Sequence, residues 1–354
     1  MRQGIEAGKN MALVAEQQLA LPIWQSDPLC ERETLDDSAS KAHIQIYNAN
    51  VLSLYNTWQP PVVIISDGAY GLGLFKGDPH APEELPAWYE PHIKAWSEKA
   101  TPQTTLWFWN SEIGWANVHP VLAKYGWKYV NCHVWDKGIS HIAGNSNTQT
   151  LRKFPVVTEI CVQYVREARI NGMSLQQWLR AEWQRTGLPL SRANDACGVK
   201  NAATRKYLTA DHLWYFPPPQ TFAHLVSYAN RHGQPEGRPY FSLDGLGPAD
   251  AEAWEKMRSK FTCKPGVTNV WREPPVNGDE RIKRGTKSVH LNQKPLSQME
   301  LIIESSSERG DLIWEPFGGL CTAALAAYRL GRRCVSAEIR HDFYELALRR
   351  LQCA

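Results

Sequence analysis

The stretch GDLIWEPFGGLCTAALAAYRLGRRCVSAEI, residues 310–339, decides the fold. Residues 311–316, with apolar Leu312, Ile313 and Trp314 between the acids Asp311 and Glu315, read as a strand. Gly318 and Gly319 follow, then a helical segment over 321–331 and a second strand over 333–339 that carries Glu338 near its end. The paired glycines let the backbone approach a ligand closely as the helix begins. A carboxylate at the tip of the next strand is placed to accept hydrogen bonds from ribose hydroxyls. A glycine turn alone suits any β-turn-α unit. The acid one strand later is what points to a nucleotide-type ligand.

Outward from this unit the chain stays α/β. A helix over 295–307 precedes it and one over 341–351 follows. Toward the N-terminus, residues 61–66 and 104–110 are unbroken apolar runs, as in parallel strands covered on both faces. Residues 84–100 are a helix candidate, broken or started near Pro91. Residues 118–138 read as helix, glycine stop and strand, 156–167 as another strand, and 43–58 as a short strand, a turn and a helix. The expected fold is α/β, a doubly wound, mostly parallel sheet with helices on both faces. Residues 1–40 read as a loose arm, 41–165 and 290–354 as the two halves of the sheet domain, and 263–289 as a Pro/Gly-rich connector. Between them, 166–262 is helical and basic, with ten Lys and Arg against five Asp and Glu over 166–240.

The whole chain of 354 residues has a formal charge of only +3, so any basic footprint is local. Its eight Cys form no C-x-x-C pair, which argues against a zinc ribbon and for a reducing compartment. No metal site is expected. Neither a signal peptide nor an 18-residue apolar span is legible. Most of the 15 Trp are expected in the core, including Trp178 and Trp183, with Trp214, in the helical segment.

A second stretch, VVIISDGAYG (62–71), raises the chemistry. A buried strand runs into Ser66, Asp67, Gly68, Ala69 and Tyr70: a carboxylate, two small residues and an aromatic ring at a strand tip. Taken alone, Asp67 reads as a turn cap.

The segment HLNQKPLSQMELIIESSSERGDLIWEPFGG (290–319) changes that weighting. It resembles the amino-group DNA methyltransferases that use S-adenosylmethionine (AdoMet), which read H-x-x-Q-K-P, a helix, then G-D-x-x-x-D-P-F-x-G-x-G. Here the matching residues are His290, Gln293, Lys294 and Pro295, then Gly310, Asp311, Glu315, Pro316, Phe317 and Gly319. Glu315 stands where Asp is usual and Cys321 where the last Gly is usual. The family's D/N/S-P-P-Y/F/W tetrapeptide falls on Asp67-Gly68-Ala69-Tyr70, with Gly-Ala in place of Pro-Pro. The order of the two motifs, with the catalytic one first, resembles the permuted beta group. Asn50 takes a place where Asp is common. The resemblance covers about 43–165 and 285–354.

The resemblance implies AdoMet as cofactor, bound by Asn50, His290, Gln293, Lys294, Glu315, Phe317, Gly318, Gly319, Cys321 and Glu338. It implies catalysis by Asp67, Gly68, Ala69 and Tyr70. The exocyclic amino group of a base is a poor nucleophile because its lone pair is delocalised into the ring. Acceptors from the Asp67 carboxylate and the Gly68 carbonyl would draw that nitrogen toward sp³ geometry, while Tyr70 stacks on the flipped base. Asp in first position goes with adenine N6 in the family and Ser with cytosine N4. A frame starting at Ser66 would put Ala69 in the stacking position, so adenine is favoured. Asn110, Glu112 and His119 are secondary candidates for the base pocket, and Asn145 and Asn147 mark a loop that could close over DNA.

In the basic segment, residues 188–216 read as helix, glycine turn and helix, with Ser191 as cap and Gly198 as break. Asn201, Thr204, Arg205 and Lys206 on the second helix, with Arg192 and Lys200 nearby, carry the chemistry of a helix-turn-helix reader of double-stranded DNA. A solvated helical hairpin is the alternative. The expected setting is the cytoplasm of a bacterium or archaeon, or a phage-encoded protein, with room for a cognate restriction endonuclease as partner. Rival functions are cytosine N4 methylation, a DNA-binding paralogue that has lost activity, and RNA or protein N-methylation.

Overall fold

The computed structural model describes Leu19–Ala20 and residues 44–352, except Leu74, Lys76, residues 140–151, Glu236, residues 285–286 and Leu291. Most of the expected N-terminal arm, and Asn145 and Asn147, therefore lie outside the described residues.

Among the described residues nine strands form one sheet: β1 Leu19–Ala20, β2 Ile44–Tyr47, β3 Val63–Ser66, β4 Thr105–Asn110, β5 Trp127–Asp136, β6 Thr158–Arg166, β7 Val270–Arg272, β8 Leu312–Glu315 and β9 Arg333–Ala337. Their spatial order is β1-β2-β9-β8-β3-β4-β6-β5-β7. From β2 to β4 the pairings are parallel; β6 runs antiparallel to both β4 and β5. The two ends of the chain meet where Ile313 of β8 pairs with Val63 of β3. The reading of the apolar runs as strands covered on both faces holds. Val63, Ile65, Trp107 and Trp109 enter one apolar layer, while Ile64, Leu106 and Phe108 enter the other.

The helices are α1 Leu85–Lys99, α2 Glu112–Lys124, α3 Leu175–Arg185, α4 Arg192–Cys197, α5 Pro219–His232, α6 Ala251–Glu255, α7 Leu296–Ser306, α8 Thr322–Arg329 and α9 His341–Gln352. Helices α7, α8 and α9 cover the first layer, α1 and α2 the second. Helix α1 does not break at Pro91 but runs through it. Leu85, Tyr89, Ile93 and Trp96 are fully buried along it, and that packing outweighs the hydrogen bond proline removes. Helix α2 starts earlier than residue 118, because the Ser111 side chain accepts from the Gly114 N–H and caps it. The helix expected after β2 is a single 3₁₀ turn, Val51–Ser53, capped by Asn50.

Residues 168–257 gather their own apolar cluster around Trp178, Trp183, Phe222 and Trp254, with Trp214 packed at its edge. The two-helix reading of 188–216 is corrected. Gly198 (φ +63°) ends α4, a helix of six residues, and the second helix is one π-type turn, Ala203–Tyr207. Ser191 is itself in helical geometry and makes no capping bond.

Candidate active site

The tip of β3 and the glycine turn after β8 are neighbours because those strands pair. They open onto one cavity of about 1170 Å³, a volume suited to a cofactor together with part of a second ligand. Asn50, Asp67, Gly68 and Tyr70 line it from the N-terminal half. His290, Gln293, Lys294, Glu315, Phe317, Gly318, Gly319 and Glu338 line it from the C-terminal half.

The glycine turn is shaped for close approach. The Gly318 N–H donates to the Ala337 carbonyl (2.8 Å), and the Gly319 N–H donates to Glu338 Oε2 (2.7 Å). A Cβ on Gly318 would fall 2.6 Å from Ser336 Oγ, and Gly319 sits at φ +53° under the His290 ring. The other Glu338 oxygen accepts from the Arg340 N–H (2.7 Å), which fixes the carboxylate at the strand tip. Burial holds the Glu338 pKa above the usual carboxylate range.

Burial also holds His290 neutral, its pKa pushed down to about 4, and its Nδ1 has no hydrogen-bond partner among the described residues. A buried, orphaned ring nitrogen in a cavity wall is a group that a polar ligand would satisfy. The residues present therefore fit a nucleoside-type cofactor.

Three residues of the expected cofactor set have structural partners of their own. Cys321 adopts φ +52°, the left-handed geometry for which the usual glycine is suited, and packs fully buried behind the turn against Ser336 Oγ (3.4 Å) instead of in the cavity wall. Glu315 reaches across the turn, accepts from the N–H groups of Ala323 (2.8 Å) and Ala324 (3.1 Å), and clasps the start of α8. Gln293 donates to the Glu280 carbonyl (2.8 Å) and accepts from the Ile282 N–H (3.3 Å), tying the connector to the site.

Burial raises the Glu315 pKa to about 8, against the pull of the two N–H groups. A carboxyl raised by folding favours the folded state fully below its ordinary value of 4.5 and loses that contribution as pH rises through 8. Glu315→Gln is therefore expected to remove a stability loss on the order of a few kcal/mol between those pH values. Chemical denaturation of both proteins at pH 5 and pH 8.5 measures it; parallel pH dependence would refute the assignment.

At the Asp67 end of the cavity, Lys294 is the hub of an ion cluster. Its ammonium, in a side chain only 2% exposed, lies 2.8 Å from Asp67 Oδ1, 2.8 Å from Glu159 Oε1 and 3.1 Å from the Tyr70 hydroxyl. Lys137 Nζ sits 2.8 Å from the other Glu159 oxygen. Tyr70 Oη also hydrogen-bonds Asp67 Oδ1 (2.9 Å) and Glu159. Burial opposes the charge on Lys294, but the Asp67 and Glu159 carboxylates outweigh it and raise its pKa. Burial opposes the charge on Glu159 too, and Lys294 and Lys137 hold its pKa well below the usual carboxylate range.

The Gly68-Ala69 pair gains from its neighbours the rigidity that two prolines would supply. Ala69 is fully buried, and its carbonyl accepts from the Tyr89 hydroxyl (2.9 Å) and from Asn110 Nδ2 (2.9 Å). Asp78 accepts from the N–H groups of Gly71 (3.1 Å) and Leu72 (3.3 Å) and fixes the next turn. Ala69 is thus a framework residue, and Asn110 acts through it. Glu112 bonds Thr158 Oγ1 (3.0 Å) and His119 lies 2.8 Å from the Tyr164 hydroxyl, both away from the cavity wall.

A Cβ on Gly68 would meet the Phe317 ring at 2.8 Å and the Tyr89 hydroxyl at 2.9 Å. Phe317 is wedged against Trp88 and His92 at 5.3 and 5.0 Å between ring centroids, so it has little room to retreat. Gly68→Ala is expected to cost about 1–3 kcal/mol. Phe317→Ala in the same background should recover part of that loss in a thermal-denaturation cycle; strict additivity would show that the two do not touch.

In the helical segment, Arg192, Lys200, Asn201, Arg205 and Lys206 are exposed. Arg192 pairs with Asp195 (3.1 Å). Thr204 turns inward, its N–H donating to Asn194 Oδ1 (3.3 Å).

Sequence reading missed Glu159, Lys137 and Asp78. Their neighbours in sequence carry no motif, and only the pairing of β6 with β4 and β5 brings Glu159 to the cluster.

A family model described as DNA methylase matches residues 62–349. Among curated relatives, the Type II methyltransferase M.ScaI of Streptomyces caespitosus is 31% identical over 117 residues, 32% of this chain and 38% of that protein. The Type II methyltransferase M2.MboI of Moraxella bovis is 38% identical over 82 residues, covering 23% and 29%. The DNA adenine methyltransferase YhdJ of Escherichia coli (strain K12) is 35% identical over 86 residues, covering 24% and 28%. The chain thus spans well under half the length of the curated relatives it matches. A solved complex of M1.HpyAVI with SAM aligns over 87% of this chain and 99% of that one, at 15% identity and a TM-score of 0.46.

Proposed function

Because the chain belongs to the DNA methylase family, whose model covers well over half of it, we propose that it methylates the N6 amino group of adenine in double-stranded DNA with AdoMet. The observation that carries this reading is the single cavity shared by Asp67, Gly68 and Tyr70 on one side and Gly318, Gly319 and Glu338 on the other.

AdoMet, when bound, supplies an electrophilic methyl group on a sulfonium. Glu338 would hold its ribose hydroxyls, the Gly318-Gly319 backbone would let it approach closely, and Asn50 and His290 would offer polar contacts. On the substrate side, the Asp67 carboxylate and the Gly68 carbonyl accept the two N–H bonds of the amino group. That localises the nitrogen lone pair and makes it nucleophilic. The Tyr70 ring supports the flipped base, its hydroxyl anchored by Asp67, Glu159 and Lys294.

Two observations favour adenine: Asp67 leads the tetrapeptide, and one relative is named a DNA adenine methyltransferase. The relatives named as Type II methyltransferases favour a restriction–modification setting in the cytoplasm with a cognate endonuclease. No helix among the described residues is long and apolar enough to cross a membrane.

Residues 166–262 serve as the target-recognition part. Lys200→Ala, Arg205→Ala and Lys206→Ala are each expected to weaken binding to a target duplex and to lower the slope of log K against log salt by about 1. Unchanged slopes in a titration from low to moderate salt would move the DNA face elsewhere.

Modified-base sequencing of DNA from a host expressing the protein tests the whole reading. N6-methyladenine at one short motif supports it, and N4-methylcytosine replaces adenine with the second reading. No modified DNA base, with label from AdoMet entering RNA or protein or nothing at all, overturns it.

A further inference from the structure

Glu159 lies on β6, outside both motifs and outside the cavity wall, yet it bonds both of the side chains, Lys294 and Tyr70, that bond Asp67. One oxygen faces Lys294 Nζ at 2.8 Å and bonds the Tyr70 hydroxyl; the other faces Lys137 Nζ at 2.8 Å. Charges alternate along the row Asp67, Lys294, Glu159, Lys137, and all four side chains are at least three-quarters buried.

Tyr70 has a single hydroxyl proton, and both carboxylates compete for it. Lys294 likewise divides its charge between them. A carboxylate that receives both donors in full is a weaker acceptor for a substrate N–H. We propose that Glu159 is a positioning residue for methyl transfer: by drawing Lys294 and the Tyr70 hydroxyl toward itself, it leaves Asp67 the acceptor strength that the substrate amino group needs.

The inference rests on the proposed role of Asp67. The titratable and charged groups facing the two carboxylates are Lys294, Lys137, Tyr70, Tyr89, His290 and Cys161. Tyr70, Tyr89 and Cys161 are held protonated by burial, with the carboxylates reinforcing this. His290 is held neutral. Lys294 and Lys137 are therefore the groups whose positive charge the two carboxylates divide.

Two variants shift that division in opposite directions. In Glu159→Gln the competing charge is gone, and Lys294 and Tyr70 turn to Asp67. In Lys137→Met, at the outer end of the row, Glu159 pulls harder on Lys294. The measurement is kcat for methyl transfer to duplex DNA against pH, with KM for DNA and Kd for AdoMet taken alongside, on full-length protein.

Glu159→Gln is expected to lower kcat about tenfold, the worth of about one hydrogen bond at a weakened Asp67 acceptor, with KM and Kd within about twofold, and to move the acid limb of the profile to lower pH. Lys137→Met is expected to move that limb to higher pH. A merely structural role would change melting temperature and KM and leave the limb in place; that outcome, or shifts of the same sign in both variants, overturns the inference. Should Glu159→Gln fail to fold, the Lys137→Met limb decides alone: upward supports, unmoved or downward overturns. If the wild-type protein transfers no methyl group, it is the reading of the site itself that fails.

Discussion

Asp67→Ala is expected to reduce methyl transfer about 10³-fold while leaving AdoMet affinity within a few-fold. In the proposed mechanism the carboxylate is one of two acceptors that localise the lone pair of the amino nitrogen. Removing a preorganised group of this kind from a partly dry site costs about 10²–10³ in rate. The proposed cofactor contacts come from other residues, the glycine turn, Glu338 and His290, so its binding should be spared. Asp67→Asn keeps an acceptor oxygen and should lose far less than the alanine variant. Tritium transfer from labelled AdoMet gives the rate, and calorimetric titration gives the cofactor affinity. An alanine variant that still turns over at a tenth of the wild-type rate would remove Asp67 from the chemistry.

Lys294→Met is expected to cost about 3–5 kcal/mol of stability near neutral pH and to abolish transfer. It strips the cation from two carboxylates, and breaking a buried pair leaves charge with nothing to offset it. The pH dependence identifies the cause. Lys294, its pKa raised by folding, contributes stability fully below its ordinary 10.5 and loses it as pH rises through the folded value. Glu159, depressed by folding, contributes stability above its ordinary 4.5 and loses it as pH falls through about 2. The gap between wild type and variant should therefore be widest between 4.5 and 10.5 and close toward both extremes. Urea denaturation at pH 4, 7 and 9 reads the plateau and the onset of its acid edge. A gap that does not change with pH would mean that lost packing, not lost charge, carries the effect.

Legibility followed the range of the forces involved. β3 and β4 were readable because a doubly covered strand must be apolar along most of its length, whatever lies beside it. The Gly318-Gly319 turn and Glu338 were readable because close approach and a strand-tip acid leave marks within thirty residues. Pro91 and Ser191 misled because local rules were applied where packing or backbone geometry prevailed. The second helix expected within 188–216 was overread from composition: NAATRKYL suits a helix, but only one π-type turn forms. No motif states the partners that the fold gives Lys294, Glu315 and Cys321: the Asp67 and Glu159 carboxylates, the start of α8, and Ser336. A motif fixes which side chain stands near a site without fixing what it touches.

The amino-acid sequence determined the strands from β2 to β6 with β8 and β9, the glycine turn, the acid that follows it and the carboxylate at the tip of β3, since each is set by short-range sterics and by which faces must be dry; the edge strands β1 and β7 lie in segments read as a loose arm and a connector. Tertiary structure alone decided that β3 lies beside β8, that Phe317 fills the space a side chain on Gly68 would need, and that Lys294 stands between Asp67 and Glu159. Those are contacts between residues far apart along the chain. Only the closing of the sheet brings them within the few ångströms over which repulsion and charge act.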